Sequence, residues 1–255
     1  MNRPSRYCSN MSDDLVLRSD ADGVATLTLN RPDKLNAMNP AAFVELRNHI
    51  DAIATDESVR VVVLTGAGRS FCAGNDLGSI AAGEKAPSPH FQAETIDALE
   101  ALPQATIAQV HGYCFTGALE LILGCDLIIC ADDAQIGDTH GQWGLVPVWG
   151  MSVRLPERIG VSKARELSFT ARRVSGVEAA AMGLAVRSVP LAELAGSVAE
   201  TAGQIAGNSS GTVSMMKRLI TDSQNMPRTE ALQRERSQPY GRPDDMAERM
   251  RAGGR

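Results

Sequence analysis

The stretch VVVLTGAGRSFCAGNDL, residues 61–77, decides the fold class. Its first part, VVVLTG, is apolar on both faces of an extended chain, which is typical of a strand buried inside a parallel sheet. A glycine-rich loop follows, and Asp76 stands where a side chain can cap the helix that begins there. The stretch therefore predicts an α/β protein in which a buried strand leads through a glycine loop into a helix.

The glycine loop does not match several well-known ligand-binding motifs. A dinucleotide fingerprint needs a third glycine, but after Gly66 and Gly68 that position holds Phe71. No P-loop lysine follows, and a nucleophile elbow fails because Cys72 stands in the place of its second glycine. Two interpretations stay open: an ordinary strand-to-helix turn, or a loop whose backbone amides approach a ligand closely.

Strand and helix patterns alternate along the rest of the chain. Residues 15–30 alternate on both sides of Asp22 and Gly23, which predicts a β-hairpin. A helix capped by Asn39 should follow, with Pro40 in its first turn. Its apolar stripe consists of Phe43, Leu46, Ile50 and Ile53. Further strands are expected at residues 106–110, 126–130 and 185–190. This order supports the α/β class.

The chain divides into three predicted regions. Residues 1–13 are polar and are expected to be a disordered extension, with Met11 as an alternative start. Residues 14–205 form the core; within them, Ser175 and Glu178 have the spacing of a helix capping box. Residues 206–255 form a helical C-terminal region that is too small to hold a core of its own. It is therefore expected to pack on the main body or on another subunit.

Composition limits the possible partners. No window approaches the roughly 18 consecutive apolar residues of a membrane span, and the start shows no signal peptide, so a cytoplasmic protein without membrane contact is expected. A net charge of -5 makes nucleic acid an unexpected partner, although a small polyanionic ligand remains possible. The cysteines suit reduced thiols better than disulfides or a metal site. They are Cys8, Cys72, Cys114, Cys125 and Cys130.

A second glycine turn carries an acid, in the run GYCFTGALELILGCDL from residue 112. Gly117 stands at a predicted helix start, where backbone amides have no partner in the helix and can bind negative charge. Glu120 follows among aliphatic residues, which would raise its pKa toward that of a general acid or base. The alternative is that Glu120 faces solvent or pairs with an arginine. Two glycine turns beside one acid suggest an oxyanion hole and carbonyl chemistry through an enolate.

These segments resemble the crotonase superfamily, also called the enoyl-CoA hydratase/isomerase family. The matching segments are LNRPDKLNAMN, VVVLTGAGRSFCAGNDL, VHGYCFTGALELILGCDLIICADDAQIG and LVPVWGMSVRLPERIG. They cover most of residues 15–190 in the expected order. The resemblance implies a spiral of repeated ββα units, a helical C-terminal trimerisation region, a homotrimer or dimer of trimers, and an acyl-CoA thioester as ligand.

The resemblance also implies roles for individual residues. The amides of Asn75 and Gly117 would form the oxyanion hole, and Glu120 would position or deprotonate the water that attacks the β-carbon. Contacts to the adenine and pantetheine of coenzyme A are implied for Lys34, Ala37, Ala73, Asp76 and Leu77. Neither a metal nor a redox cofactor is implied, because coenzyme A is part of the substrate.

The chain departs from the best-known hydratases at one position. His140 stands where those enzymes carry a second glutamate, and three interpretations follow. His140 takes over proton transfer at the α-carbon, Glu120 acts alone, or His140 only lines the pocket. Asp138 is expected to be solvated or structural, and Trp143 and Trp149 either line an acyl pocket or pack in the core.

The C-terminal run PYGRPDDMAERMRAGGR also differs from the usual family ending, because it lacks phenylalanine and lysine. No C-terminal lysine is therefore assigned to coenzyme A. The predicted function is hydration of a trans-2-enoyl-CoA to a 3-hydroxyacyl-CoA. The alternatives are an enoyl-CoA isomerase, another CoA lyase or hydrolase that uses Glu120 alone, a catalytically weak acyl-CoA-binding homologue and, more distantly, a Rossmann oxidoreductase.

Overall fold

A computed structural model describes residues 14–253 and has two β-sheets flanked by helices. The strands are β1 (Val16–Ala21), β2 (Val24–Leu29), β3 (Val61–Gly66), β4 (Ala105–Val110), β5 (Tyr113–Phe115), β6 (Leu127–Ala131), β7 (Gln135–Gly137), β8 (Val174–Ser175) and β9 (Arg187–Val189). The larger sheet has the order β1-β2-β3-β4-β6-β9, and the smaller has the order β5-β7-β8. All neighbours in the larger sheet are parallel except β1 and β2.

The helices follow the strands in a regular order. They are α1 (Pro40–Ala54), α2 (Leu77–Ala81), α3 (Phe91–Glu100), α4 (Gly117–Leu123), α5 (His140–Trp143), α6 (Met151–Ile159), α7 (Val161–Thr170), α8 (Gly176–Met182), α9 (Leu191–Gly207), α10 (Ser210–Gln224), α11 (Arg228–Arg236) and α12 (Met246–Gly253). A short 3-10 turn spans Pro32–Lys34.

The local sequence signals give the expected elements. Asp22 and Gly23 have φ angles of 51° and 78°, the left-handed conformations that a tight hairpin turn requires. The side chain of Asn39 accepts a hydrogen bond from Ala42 N at the start of α1. The four stripe residues of that helix are all buried. Every residue of β3 is buried between β2 and β4. The predicted hairpin, capped helix and buried parallel strand are therefore confirmed.

The chain repeats one unit, in which a strand of the larger sheet leads to a segment of the smaller sheet and then to a helix. Strands β4 and β5 precede α4, and β6 and β7 precede α5. Strand β3 follows the same plan, because Cys72 pairs with Cys114 of β5 before the chain enters α2. The predicted spiral of ββα units is confirmed. The segment at Cys72, strand β5 and strand β7 run parallel to one another in the smaller sheet. The helices that follow them, α2, α4 and α5, therefore begin at the same edge of that sheet.

The C-terminal helices pack on the body through few contacts. None of α10, α11 and α12 has a buried residue. Lys217 of α10 nevertheless reaches the body, where its Nζ lies 2.8 Å from Asp126 Oδ2 and donates to the Gln104 carbonyl. Helix α9 ends at Gly207, just beyond the predicted end of the core at residue 205. The division into core and C-terminal region stays a prediction, as does a role in trimerisation.

Four of the five cysteines lie in the described residues and are buried free thiols, as predicted. Burial raises the pKa of Cys72, Cys125 and Cys130 to about 12, so these thiols are unreactive at neutral pH. Cys8 and the predicted extension 1–13 lie outside the described residues. Between residues 14 and 253, no helix is both long and apolar enough to cross a membrane.

Candidate active site

The first glycine turn places the amide of Asn75 beside the start of α2. Gly74 has a φ of 107°, and a Cβ there would lie 2.7 Å from the Phe115 carbonyl oxygen, so only glycine fits. Met38 pairs with this segment by donating to Gly74 O and accepting from Asp76 N. Asn75 lies between these two bonds, so its N–H points away from Met38. Within residues 14–253, this N–H has no hydrogen-bond acceptor.

The second glycine turn places Gly117 as the first residue of α4. Thr116 before it has a φ of 55°, which is strained for a threonine and typical of functional turns. Two hydrogen bonds hold this conformation, from Thr116 N to Gly137 O at 2.9 Å and between the hydroxyls of Thr116 and Thr139 at 2.5 Å. Among the described residues Gly117 N also lacks an acceptor, as a first helical amide does. A Cβ on Gly74 would lie 3.6 Å from Gly117 N, so the two turns adjoin.

Glu120 lies one turn into α4 and is only 2% exposed. Its Oε1 accepts hydrogen bonds from Trp149 N at 2.8 Å and Met151 N at 3.2 Å. Its Oε2 lies 3.6 Å from His140 Nε2. Burial raises the pKa of Glu120, although the two backbone donors and His140 oppose the rise. The predicted desolvated acid is confirmed, and the alternatives of a solvent-facing or arginine-paired Glu120 are wrong.

His140 is the first residue of α5 and lies between two buried carboxylates. Its Nδ1 lies 2.6 Å from Asp138 Oδ1, which also accepts from His140 N at 3.2 Å. Asp138 was expected to be solvated or structural. It is 2% exposed, so the solvated alternative is wrong and the structural one holds. Burial alone would raise the pKa of Asp138, but hydrogen bonds from His140 and Ser168 outweigh that effect and lower it. These contacts favour the charged form of the Asp138 carboxylate and place it against Nδ1 of His140.

The two tryptophans have different surroundings. The ring of Trp149 is buried and makes an edge contact with Phe43, with centroids 5.0 Å apart. The same ring covers Gly117, where a Cβ would lie only 2.3 Å from Trp149 Cζ3. Core packing, the second of the two interpretations, holds for Trp149. Trp143 is 58% exposed and lines the groove beside the two turns.

A groove of about 520 Å³ opens in front of the two turns. Its lining includes Asn75 and the five residues predicted to contact coenzyme A, namely Lys34, Ala37, Ala73, Asp76 and Leu77. Thr116 and Thr139 form part of its wall. Gly117, Glu120 and His140 do not line the groove, and Glu120 and His140 are almost fully buried. The structure thus gathers the predicted residues into an outer groove and an inner group of acid–base side chains.

Several residues that hold the groove were not predicted. Asn36 is buried, and its amide donates to the carbonyls of Ala67 and Ser70 while its oxygen accepts from Arg31 N. Arg31 also pairs with Asp76 at 2.8 Å. Asp76 caps α2 through Gly78 N and Ser79 N, as predicted. At the far side, the Arg173 guanidinium lies 4.5 Å from the centre of the Phe115 ring. Arg31 and Asn36 belong to the motif LNRPDKLNAMN, and this motif was the feature of the sequence that could have identified them as residues that hold the groove.

Comparison with known proteins places this arrangement in a family. The family model described as "Enoyl-CoA hydratase/isomerase" matches residues 19–248. The chain belongs to the enoyl-CoA hydratase/isomerase family. The chain is 33% identical to the probable enoyl-CoA hydratase 1, peroxisomal, of Arabidopsis thaliana, over 90% of this chain and 88% of that protein. It is 36% identical to carnitinyl-CoA dehydratase of Proteus mirabilis, over 77% of this chain and 76% of that protein.

A solved structure agrees with the sequence relatives. The enoyl-CoA hydratase of Bacillus anthracis superposes with a TM-score of 0.83 at 34% identity, covering 88% of each chain. The crotonase fold and an acyl-CoA enzyme of the hydratase/isomerase family are therefore established. The different names of the relatives show that this degree of similarity does not fix the reaction.

The raised pKa of Glu120 predicts that the folded protein loses stability as pH rises above about 4.5. Between the unfolded value, near 4.5, and the higher folded value, the folded protein binds more protons than the unfolded one. Stability therefore falls as pH rises through this window, because ionised Glu120 is buried at a cost. Glu120→Gln should raise Tm relative to the wild type at pH 8, and this gain should shrink as pH falls toward 4.5. Calorimetric scans across this range measure it, and a gain independent of pH would contradict the assignment.

Proposed function

We propose that the protein hydrates a trans-2-enoyl-CoA to a 3-hydroxyacyl-CoA. The observation that carries this proposal is the pairing of Glu120 Oε2 with His140 Nε2 at 3.6 Å, behind two turns with free amides. Two proton-transfer groups suit addition of water across a double bond, since one proton leaves the water and another reaches the α-carbon. A double-bond isomerase needs only one such group.

The groove would bind the thioester, with Lys34 and Arg173 as exposed cations for the phosphates of coenzyme A. The N–H groups of Asn75 and Gly117 would donate to the thioester oxygen. Such donors stabilise the charge that develops as an enolate forms, and each typically changes the rate by about a hundredfold to a thousandfold. Only the backbone N–H of each residue takes part. An asparagine at position 75 and a glycine at position 117 can therefore both act as oxyanion donors.

The two acid–base groups divide the proton transfers. The separation of 3.6 Å is too long for a good hydrogen bond, but a water beside the pair can contact both groups at about 2.8 Å. Glu120 takes a proton as the water oxygen bonds to the β-carbon. His140 gives the proton on Nε2 to the α-carbon of the enolate. Transfer of the proton from Glu120 to His140 then restores the enzyme, so the cycle has no net proton change.

Crotonyl-CoA tests this proposal. The wild type should convert it to 3-hydroxybutyryl-CoA, with loss of the absorbance of the conjugated thioester and a product identified by mass. His140→Gln should lower kcat by about a hundredfold or more, which is the usual contribution of a general acid or base. A wild type that shifts the double bond, hydrolyses the thioester, or binds it without turnover would overturn the proposal in favour of one of the alternatives.

The assembly belongs to the same proposal. A homotrimer or dimer of trimers is supported by exposed apolar side chains on the C-terminal helices, such as Met216, Ile220 and Met250. A cytoplasmic location and the absence of any metal or redox cofactor remain predictions.

A further inference from the structure

Asp138 is a buried carboxylate for which the proposed hydration gives no direct task. It follows strand β7 and precedes His140 by two residues, and its Oδ1 contacts both the ring and the backbone N–H of that histidine. Ser168 of α7 donates a further hydrogen bond to the carboxylate. Asp138 is therefore held from two elements, with its charge directed at His140.

The contacts around the pair leave one atom of each group free to react. Asp138 occupies Nδ1 of His140, so only Nε2 faces Glu120. The amides of Trp149 and Met151 occupy Oε1 of Glu120, so only Oε2 faces His140. A proton that moves between the two residues must therefore move between Nε2 and Oε2.

We propose that Asp138 is a positioning residue that keeps the Nδ1–H form of His140, so that Nε2 alone exchanges protons with substrate and Glu120. This inference rests on the proposed function for its effect on rate. When His140 gives up the proton on Nε2, the neutral ring retains the proton on Nδ1, because the carboxylate accepts only from an N–H. Nε2 is then ready to recover a proton from Glu120 Oε2.

An amide at position 138 should disturb this arrangement while keeping the shape of the side chain. The NH₂ group of an asparagine can donate to a bare Nδ1, which favours the ring form with the proton on Nε2. That form cannot accept a proton from Glu120. In a Ser-His-Asp triad the same kind of exchange lowers kcat by roughly ten-thousandfold by favouring the wrong tautomer. We expect Asp138→Asn to lower kcat by at least about a hundredfold with little change in KM, because Asp138 does not line the groove.

The decisive measurement is the tautomer of His140 by ¹⁵N NMR of histidine-labelled protein at alkaline pH. The chain has four histidines, so the spectrum of His140→Gln assigns the relevant signal. The wild type should show the proton on Nδ1, and Asp138→Asn should shift it toward Nε2. The same tautomer in both proteins would overturn the inference. A tautomer shift in an enzyme that never hydrates enoyl-CoA would overturn the proposed function alone.

Two further variants separate positioning from general structural damage. In a His140→Gln background, Asp138→Asn should lower kcat by no more than about twofold, because no imidazole remains to be positioned. Equal losses in both backgrounds would contradict the inference.

Asp138→Ala is the variant to test if the asparagine variant does not fold. Added formate should restore part of the activity of Asp138→Ala by replacing the carboxylate beside Nδ1. Failure of formate to restore any activity in a folded Asp138→Ala protein would count against positioning by charge.

Discussion

Glu120→Gln is expected to lower kcat for crotonyl-CoA hydration by about a thousandfold, within the range of one hundredfold to ten-thousandfold for a general acid or base. Glutamine retains an oxygen that can accept from Trp149 N and Met151 N, so the surroundings of the side chain should persist. What is lost is the ability of the other oxygen to take a proton. The measurement is the steady-state rate at saturating substrate, together with the dissociation constant of a non-reactive acyl-CoA, which should change little.

Glu45 provides a matched control for this substitution. Its carboxylate also accepts two backbone hydrogen bonds, from Leu15 N and Val16 N, but it lies on α1 away from the groove. Glu45→Gln should therefore leave kcat within about twofold of the wild type, since only a structural acceptor is altered. A Glu120→Gln variant that is as active as Glu45→Gln would exclude Glu120 as a proton-transfer group.

Gly117→Ala is expected to damage both stability and rate. The added Cβ would lie 2.3 Å from Trp149 Cζ3, and that ring is fixed against Phe43. Overpacking of this kind typically costs about 1–3 kcal/mol. The displaced Trp149 also carries the backbone N–H that holds Glu120, so the substitution should move the acid as well as the Gly117 amide. We expect a lower Tm and a fall in kcat/KM of more than about a hundredfold.

Two further variants test whether the clash with Trp149 causes the loss of stability in Gly117→Ala. Gly203→Ala lies in α9, where an added Cβ would contact nothing within 4 Å, and should raise stability by about 0.5–1 kcal/mol. Trp149→Leu should lower stability by itself, since it removes a buried ring, but in the Gly117→Ala background its cost should be smaller, because the clash is removed. Strictly additive losses from the two substitutions would contradict the proposed clash.

Local signals in the sequence predicted the elements that frame the site. The alternation around Asp22-Gly23 and the capped stripe of α1 depend on residues close in sequence, and the structure confirms both. Strands β5, β7 and β8 span two or three residues each and were not predicted, since they are stabilised by pairing with distant segments rather than by their own pattern.

The candidate site likewise has residues that the local sequence predicted and residues whose surroundings depend on distant segments. Glu120 was recognisable because an acid within an aliphatic run is exceptional, and its burial is confirmed. Asp138 was expected to be solvated or structural, and the sequence could not decide between the two, because its burial depends on contact with Ser168 of the distant helix α7. The donors to Glu120 are backbone amides of Trp149 and Met151, and a backbone amide leaves no trace in residue type.

We propose that Glu120 and His140 act as one proton-transfer unit. The most direct test of this claim is kcat for crotonyl-CoA hydration by the wild type, Glu120→Gln, His140→Gln and the double variant. Residues that act as a unit give strongly non-additive losses. We predict that the double variant is no more than about threefold slower than the slower single variant. Losses that multiply in the double variant, or a His140→Gln enzyme as fast as the wild type, would contradict the claim.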